Sequence, residues 1–170
     1  MNARRRAGAP SGGRIGVIGA GTIGVVTQLV AQHHGNEVEI VDLSENRLGL
    51  ARDLKASSAA HALTGEFDVI IDCVGSAVTH QASIDHLRPG GSAIWLGLFC
   101  PVAAFYAQGL IRHEKSVQGS FCYTNAEFPE SLSLPPHSTP PANPPTDTRP
   151  CWCAGLLPQA GVKRDFGEFG

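Results

Sequence analysis

Charge is sparse in this chain of 170 residues: Asp, Glu, Lys and Arg together make up 16%, and the formal net charge is −2. That balance leaves no electrostatic footprint for nucleic acid or an anionic membrane surface as a partner. Long apolar runs are missing too, so no segment approaches the length of a membrane span. The basic run Arg4, Arg5, Arg6 has no apolar stretch behind it and lacks the Ser-rich amphipathic length of a transit peptide. It is read as part of a flexible leader, residues 1–13, of a cytoplasmic protein. The cysteines are odd in number: Cys73, Cys100, Cys122, Cys151 and Cys153. Without a secretory signal they argue against a disulfide scaffold. Cys151 and Cys153 have one residue between them, not the two of the usual zinc knuckle, and no second pair accompanies them. What the chain does have is 42% hydrophobic residues, enough for the core of one domain.

Composition changes along the chain. Seven of the twelve prolines fall between Pro135 and Pro150. There Ser and Thr are interspersed and apolar periodicity vanishes, so residues 131–170 are expected to be a disordered tail. Residues 14–130 alternate strand-like and helix-like runs. Arg14–Ile18 reads as a strand ending at a glycine loop. Thr22–His34 reads as a helix with Ile23, Val26, Thr27, Val30 and Ala31 on one face. Val38–Val41 is a second strand, and Ser44 caps a helix through Leu54 with a stripe of Leu48, Ala51 and Leu54. Ala59–Leu63 is ambiguous and holds at most a short strand. Phe67–Val74 is apolar nearly throughout, as in a parallel strand covered on both faces. A helix over Ser76–Leu87 is expected to stop at Arg88-Pro89-Gly90-Gly91. Strand Ser92–Leu98, a short helix within Ala103–His113 and strand Val117–Phe121 follow. Strands spaced by helices imply right-handed crossovers and a parallel sheet.

The strongest signal is Gly19-Ala20-Gly21-Thr22-Ile23-Gly24. Alone such a loop is weak, but here a strand precedes it and a helix follows. A second strand then ends in Asp42, eighteen residues after Gly24. Each part has a mechanical role in binding a dinucleotide. Gly19 makes the tight turn, Gly21 lets the backbone approach a pyrophosphate, and Gly24 lets helix pack on strand. The N–H groups at the Thr22 end of the helix face the phosphates. Asp42 would accept hydrogen bonds from the adenosine ribose and repel a 2′-phosphate, which favours NAD over NADP; the plain alternative is that it merely starts the next helix. Arg47 either lines the adenosine pocket or is a solvated helix residue. Other users of a glycine loop fit less well. Gly24 is followed by Val25 and Val26, not by the Lys-Ser/Thr of a P-loop. Neither Tyr106 nor Tyr123 has a lysine four residues on, as a short-chain dehydrogenase would need.

From Arg14 to about Glu130 the chain resembles the coenzyme domain of zinc-type medium-chain alcohol dehydrogenases, in particular the sorbitol and polyol branch. The matching stretches are the glycine loop, Val41-Asp42-Leu43-Ser44-Glu45-Asn46-Arg47-Leu48, Asp72-Cys73-Val74-Gly75, Arg88-Pro89-Gly90-Gly91, Trp95-Leu96-Gly97-Leu98 and Gly119-Ser120-Phe121-Cys122-Tyr123. The resemblance implies an α/β Rossmann fold, a doubly wound parallel sheet, here expected to be incomplete at its C-terminal end. It places Ile23, Asp42, Leu43 and Arg47 at the phosphate and adenosine half of NAD. It places Val74, Gly75, Leu96, Gly97 and Leu98 near the nicotinamide, with Ser120 and Phe121 bordering it. Where the polyol branch has Phe-Arg-Tyr, this chain has Phe121-Cys122-Tyr123, so polyol recognition of that type is in doubt.

The resemblance also implies a catalytic zinc held by an N-terminal domain, polarising an alcohol so that hydride leaves to NAD. Only thirteen residues precede the first strand, and no Gly-His-Glu motif occurs. The seven histidines, His33, His34, His61, His80, His86, His113 and His137, read as ordinary surface or partly buried residues. After Glu130 the family helix gives way to Ser131-Leu132-Ser133-Leu134-Pro135-Pro136, which suggests a shifted reading frame or a spliced end. The expectation is an NAD(H)-binding oxidoreductase fragment without its zinc domain. The rival is a non-enzymatic NAD-binding module, or one that pairs with itself or a full-length relative through the last strand.

Overall fold

Two stretches that are apolar on both sides, Arg14–Ile18 and Phe67–Asp72, lie side by side in the middle of a parallel sheet. The computed structural model describes Ala3 and residues 8–121. Among them are six strands: β1 (Arg14–Ile18), β2 (Glu37–Val41), β3 (Ser58–Ala60), β4 (Phe67–Asp72), β5 (Leu87–Trp95) and β6 (Ser116–Gly119). Four helices accompany them: α1 (Thr22–His33), α2 (Glu45–Asp53), α3 (Ala77–Asp85) and α4 (Ala107–Arg112). The strand order is β3-β2-β1-β4-β5-β6 and every pair is parallel. This is the doubly wound order, whose direction reverses between β1 and β4. All six strands of that order are present. The expected gap at the C-terminal end, and the tail 131–170, lie outside the described residues.

Strands buried on both faces need two covering layers. On one face Ile15, Val17, Val38, Ile40, Val69 and Ile71 pack with Ala31 of α1 and Ala51 of α2. On the other, Ile18, Val41, Phe67 and Ile70 pack with Leu63 and with Ala82 of α3. Leu63 belongs to the β3–β4 connection, residues 61–66, which crosses the sheet without a helix. The crossing is pinned by Thr64 N–H donating to Glu39 Oε1 (2.6 Å) and Arg14 Nη1 donating to the Glu66 carbonyl (3.2 Å). No helix among the described residues is long and apolar enough to cross a membrane.

Several sequence expectations are corrected. The buried face of α1 is Gly24, Val25, Gln28, Val30 and Ala31, while Ile23 and Val26 are more than half exposed. Gly24 must face β1, and Gln28 is held inside by its Nε2 donating to the Ala51 and Leu54 carbonyls (3.0 and 3.2 Å) while its Oε1 stays without a partner, so helix rotation follows these contacts and not hydrophobicity. Arg88-Pro89-Gly90-Gly91 does not terminate a helix directly. It is a bulge within β5: Leu87 pairs with Phe67, and the ladder resumes at Ser92 opposite Val69. Gly90 N–H donates to the His113 carbonyl (2.8 Å), which fixes the bulge. Strand β5 therefore covers Leu87–Trp95, not Ser92–Leu98. Ser44 occupies the N-cap position of α2, but its side chain makes no cap bond. The described part of the leader is held: Asn36 Nδ2 donates to the Pro10 carbonyl (2.7 Å), and Ala3 is buried against the first core layer.

Candidate functional site

In a doubly wound sheet the carboxyl ends of the strands at the point of reversal leave a crevice. Here that crevice is a cavity of about 340 Å³ lined by Gly19, Gly21, Thr22, Ile23, Gly24, Asp42, Arg47, Cys73, Val74 and Phe99. Gly19 leaves β1 with φ +97°, a conformation that a side chain disfavours. A Cβ at Gly24 would collide with the Gly19 carbonyl oxygen, so only glycine lets α1 start this close to β1. The first backbone bond of α1 is Val25 N–H to the Gly21 carbonyl (2.9 Å). The amides before it have no acceptor within the helix. No side chain caps this end and no acidic residue sits in its first turn. Gly21 has open space around its Cα. The result is a positively polarised cradle shaped for an anion.

Asp42 stands across the cradle at the end of β2 and is buried. Its Oδ2 accepts from Ala20 N–H (2.8 Å) and its Oδ1 from Ser44 N–H (2.8 Å). The carboxylate thus props the glycine loop and fixes the Ser44 amide just ahead of α2. Arg47 Nη1 lies 3.5 Å from Asp42 Oδ2, on the cavity wall. His61, just past β3, donates from Nδ1 to the Asp42 carbonyl (2.9 Å), and its Nε2 lies 3.3 Å from Glu45 Oε2. Glu45 is held below the usual carboxylate range, chiefly by its bond to Arg52.

The other wall comes from the end of β4. Asp72 Oδ1 accepts from Val74 and Gly75 N–H (2.8 and 3.0 Å), and the Asp72 carbonyl accepts from Leu96 and Gly97 N–H (2.9 and 3.0 Å). The Cys100 amide donates to the Gly75 carbonyl (2.9 Å), which leaves Phe99 over the cavity, about half exposed. Burial pushes the Cys73 thiol up to about 12, so this wall is inert and apolar.

Of the residues expected at a cofactor, Gly19, Gly21, Thr22, Ile23, Gly24, Asp42, Arg47 and Val74 line the cavity. Leu43, Gly75, Leu96, Gly97, Leu98, Ser120 and Phe121 do not. Leu43 is exposed, as are Leu98 and Phe121 (78% and 75%). Ser120 is buried, its N–H donating to the Trp95 carbonyl (3.0 Å). Sequence reasoning passed over Cys73, Phe99 and His61. The first two are chain neighbours of Val74 and Leu98, so the signal was their position just beyond a strand's carboxyl end. His61 carried none. One histidine lies deeper than the expected surface or partly buried setting: His80 is buried, with its ring stacked on Trp95 at 3.8 Å.

Residues 22–135 match the sequence profile of the zinc-binding dehydrogenase family. Human sorbitol dehydrogenase is 31% identical over 150 residues, which cover 79% of this chain and 42% of that protein. D-altritol 5-dehydrogenase of Agrobacterium fabrum is 32% identical over 127 residues, covering 69% of this chain and 38% of that one. Among solved structures, acetophenone reductase from Geotrichum candidum, in complex with NAD, is similar with a TM-score of 0.75 at 28% identity, over 78% of this chain and 40% of its own. The chain thus spans less than half the length of the relatives it matches. Because the match covers more than half of the chain, from the helix of the cradle through Asp42 to beyond β5, the chain belongs to the zinc-binding dehydrogenase family.

Proposed function

We propose that this chain is the NAD(H)-binding unit of an alcohol- or polyol-type dehydrogenase. The observation that carries the reading is the uncapped amino end of α1 facing Asp42 across one cavity. The N–H groups of Thr22, Ile23 and Gly24 would hold the pyrophosphate, with Gly19 and Gly21 keeping side chains out of its way. Asp42 would accept from the adenosine ribose hydroxyls. With Ala20 N–H and Arg47 Nη1 on Oδ2 and Ser44 N–H on Oδ1, the carboxylate keeps a lone pair on Oδ1 for this, since each carboxylate oxygen accepts two bonds. Arg47 and His61 flank that end, while Val74, Cys73 and Phe99 offer an apolar wall to the nicotinamide end. Gly75, Leu96, Gly97, Leu98, Ser120 and Phe121 would then act from just outside the wall, and Leu43 from beside the adenosine.

When bound, NAD supplies the hydride acceptor. The residues near the cavity contribute binding and orientation. Among the described residues no group of three or more His, Cys, Asp or Glu could hold a metal ion, so they do not fit the zinc that the family name implies. Strand β6 has β5 as its neighbour in the described sheet, and its other edge is where a second copy or a full-length relative would pair. Sedimentation velocity of the purified chain tests that pairing. The cytoplasm remains the expected compartment, to be checked by localising a tagged chain.

Calorimetric titration with NADH is the direct test. Saturable one-to-one binding that Gly21→Val abolishes supports the reading, because a branched side chain would occupy the pyrophosphate's approach. Binding that is absent, or unchanged in Gly21→Val, rejects it.

A further inference from the structure

We propose that Asp72 and His80 are a buried positioning pair: Asp72 Oδ1 holds the Val74–Gly75 turn against the crevice, and the charge on the His80 ring decides whether it keeps that hold. The idea rests, for its cofactor arm, on the NAD(H) reading above. Three side-chain atoms at one place have no hydrogen-bond partner: Asp72 Oδ2 and both ring nitrogens of His80. Asp72 is fully buried and His80 is 6% exposed. Buried polar atoms without partners are uncommon, and three together ask for a role.

The geometry suggests one. His80 Nε2 lies 3.7 Å from Asp72 Oδ2, too far for a hydrogen bond. The ring cannot slide freely, because it is stacked on Trp95. Trp95 is itself fixed by its Nε1 donating to Ser83 Oγ (2.9 Å) and by Phe105 edge-on to it at 5.9 Å. A neutral imidazole tolerates this pocket. A charged one does not, since it gains a second N–H and a charge near the amino end of α3, where the helix field is also positive. Among the described residues its close counter-charge is Asp72 Oδ2. A charge-assisted contact closes to about 2.8 Å. Drawing the carboxylate in by that much pulls Oδ1 off the Val74 and Gly75 amides, which it now holds at 2.8 and 3.0 Å. Acid therefore loosens the turn that walls the crevice.

Other titratable groups on the packed elements are engaged elsewhere. Asp68 of β4 accepts from Arg14 N–H and pairs with Arg88 of β5. Lys115, ahead of β6, donates to the Ile84 carbonyl at the far end of α3, beside Asp85. His86 binds the Gly65 carbonyl, and Arg112 of α4 is exposed. Cys73 is held protonated by burial. Burial also lowers the His80 value below its ordinary 6.5, against the pull of Asp72.

The test uses the full chain, labelled with 15N, from about pH 8 to about pH 5, the window in which histidine charges. The His80 ring and the Val74 and Gly75 amides should titrate with one midpoint below 6.5. That midpoint should fall further in Asp72→Asn and vanish in His80→Phe, which keeps the stack on Trp95. The NAD+ dissociation constant should rise about tenfold per pH unit below the midpoint, and stay flat in His80→Phe. Amides that do not follow the ring overturn the proposal, as do coinciding binding curves for parent and His80→Phe. If the parent fails to bind NAD+ even at about pH 7.5, with His80 neutral, the cofactor reading falls, and the amide titration alone decides the pair. The same titration decides it should His80→Phe not fold.

Discussion

Gly24 and Asp42 shape the crevice in different ways. At Gly24 the constraint is space: a methyl group would meet the Gly19 carbonyl, which is backbone and cannot swing aside. Gly24→Ala must push α1 off β1, and overpacking of this kind costs about 1–3 kcal/mol or more. Urea denaturation should show that loss together with weakened NADH binding; full stability in the variant would contradict the close approach. At Asp42 the constraint is charge. The carboxylate props Ala20 and Ser44 through their amides, and in the proposed NAD(H) reading it would face a 2′-phosphate. Asp42→Asn keeps the size and removes the repulsion, at the cost of one of those two bonds, because its amide nitrogen cannot accept. The preference for NAD over NADP should shrink by about tenfold or more, since like charges brought together cost several kcal/mol. Arg47, 3.5 Å away, would then be available to the added phosphate. An unchanged ratio of affinities would leave Asp42 as a prop for the loop alone.

The elements differ in how openly their sequences declare them. Helix α3 begins with a capping box, Ser76 Oγ accepting from Thr79 N–H (3.1 Å) and Thr79 Oγ1 from Ser76 N–H (2.9 Å). Ser76→Ala should cost about 1 kcal/mol, read as a lower melting temperature, with the Val74–Gly75 turn next door losing order on the same scale. Thr79→Ala should cost less, because the Ser76 hydroxyl still caps. The glycine loop and the acid that ends β2 were legible because both follow from strict backbone needs. The turn of α1 about its axis was not: a buried Gln28 fixed by the Ala51 and Leu54 carbonyls looks polar in the sequence and sits in the core. Nor was the bulge in β5, since Pro-Gly-Gly signals a chain break equally well at a helix end and inside a ladder. His80 fell to the same difficulty, because nothing local to it announces Trp95 or Asp72.

At the scale of the whole molecule, burial of His80 links folding to pH. Its folded value lies below 6.5, so the unfolded chain takes up the proton first as pH falls. Stability should thus be unaffected by this group above 6.5, decline below it, and level off once the folded form also binds the proton. Glu45, lowered by Arg52, adds a later decline of its own below 4.5. Thermal melts of the parent across this range should fall with acid in two stages. His80→Phe should remove the first and leave the second; a parent whose melting temperature does not move until carboxylates titrate would refute the assignment.

The helix-free crossing from β3 to β4 leaves the chain little slack. Ala60 lies level with Val41, Val41 with Ile18, and Ile18 with Asp72, so the crossing must pass three strand spacings sideways while returning the height of β4. That diagonal is about 22 Å, and the seven Cα steps from Ala60 to Phe67 reach about 25 Å at full stretch. The segment works as a taut tether, not a loop. It can gain residues freely, as surface loops do, but it has almost none to lose. The edge strand β3, short as it is, cannot drift or peel away without drawing on β4 and the wall of the crevice at its far end.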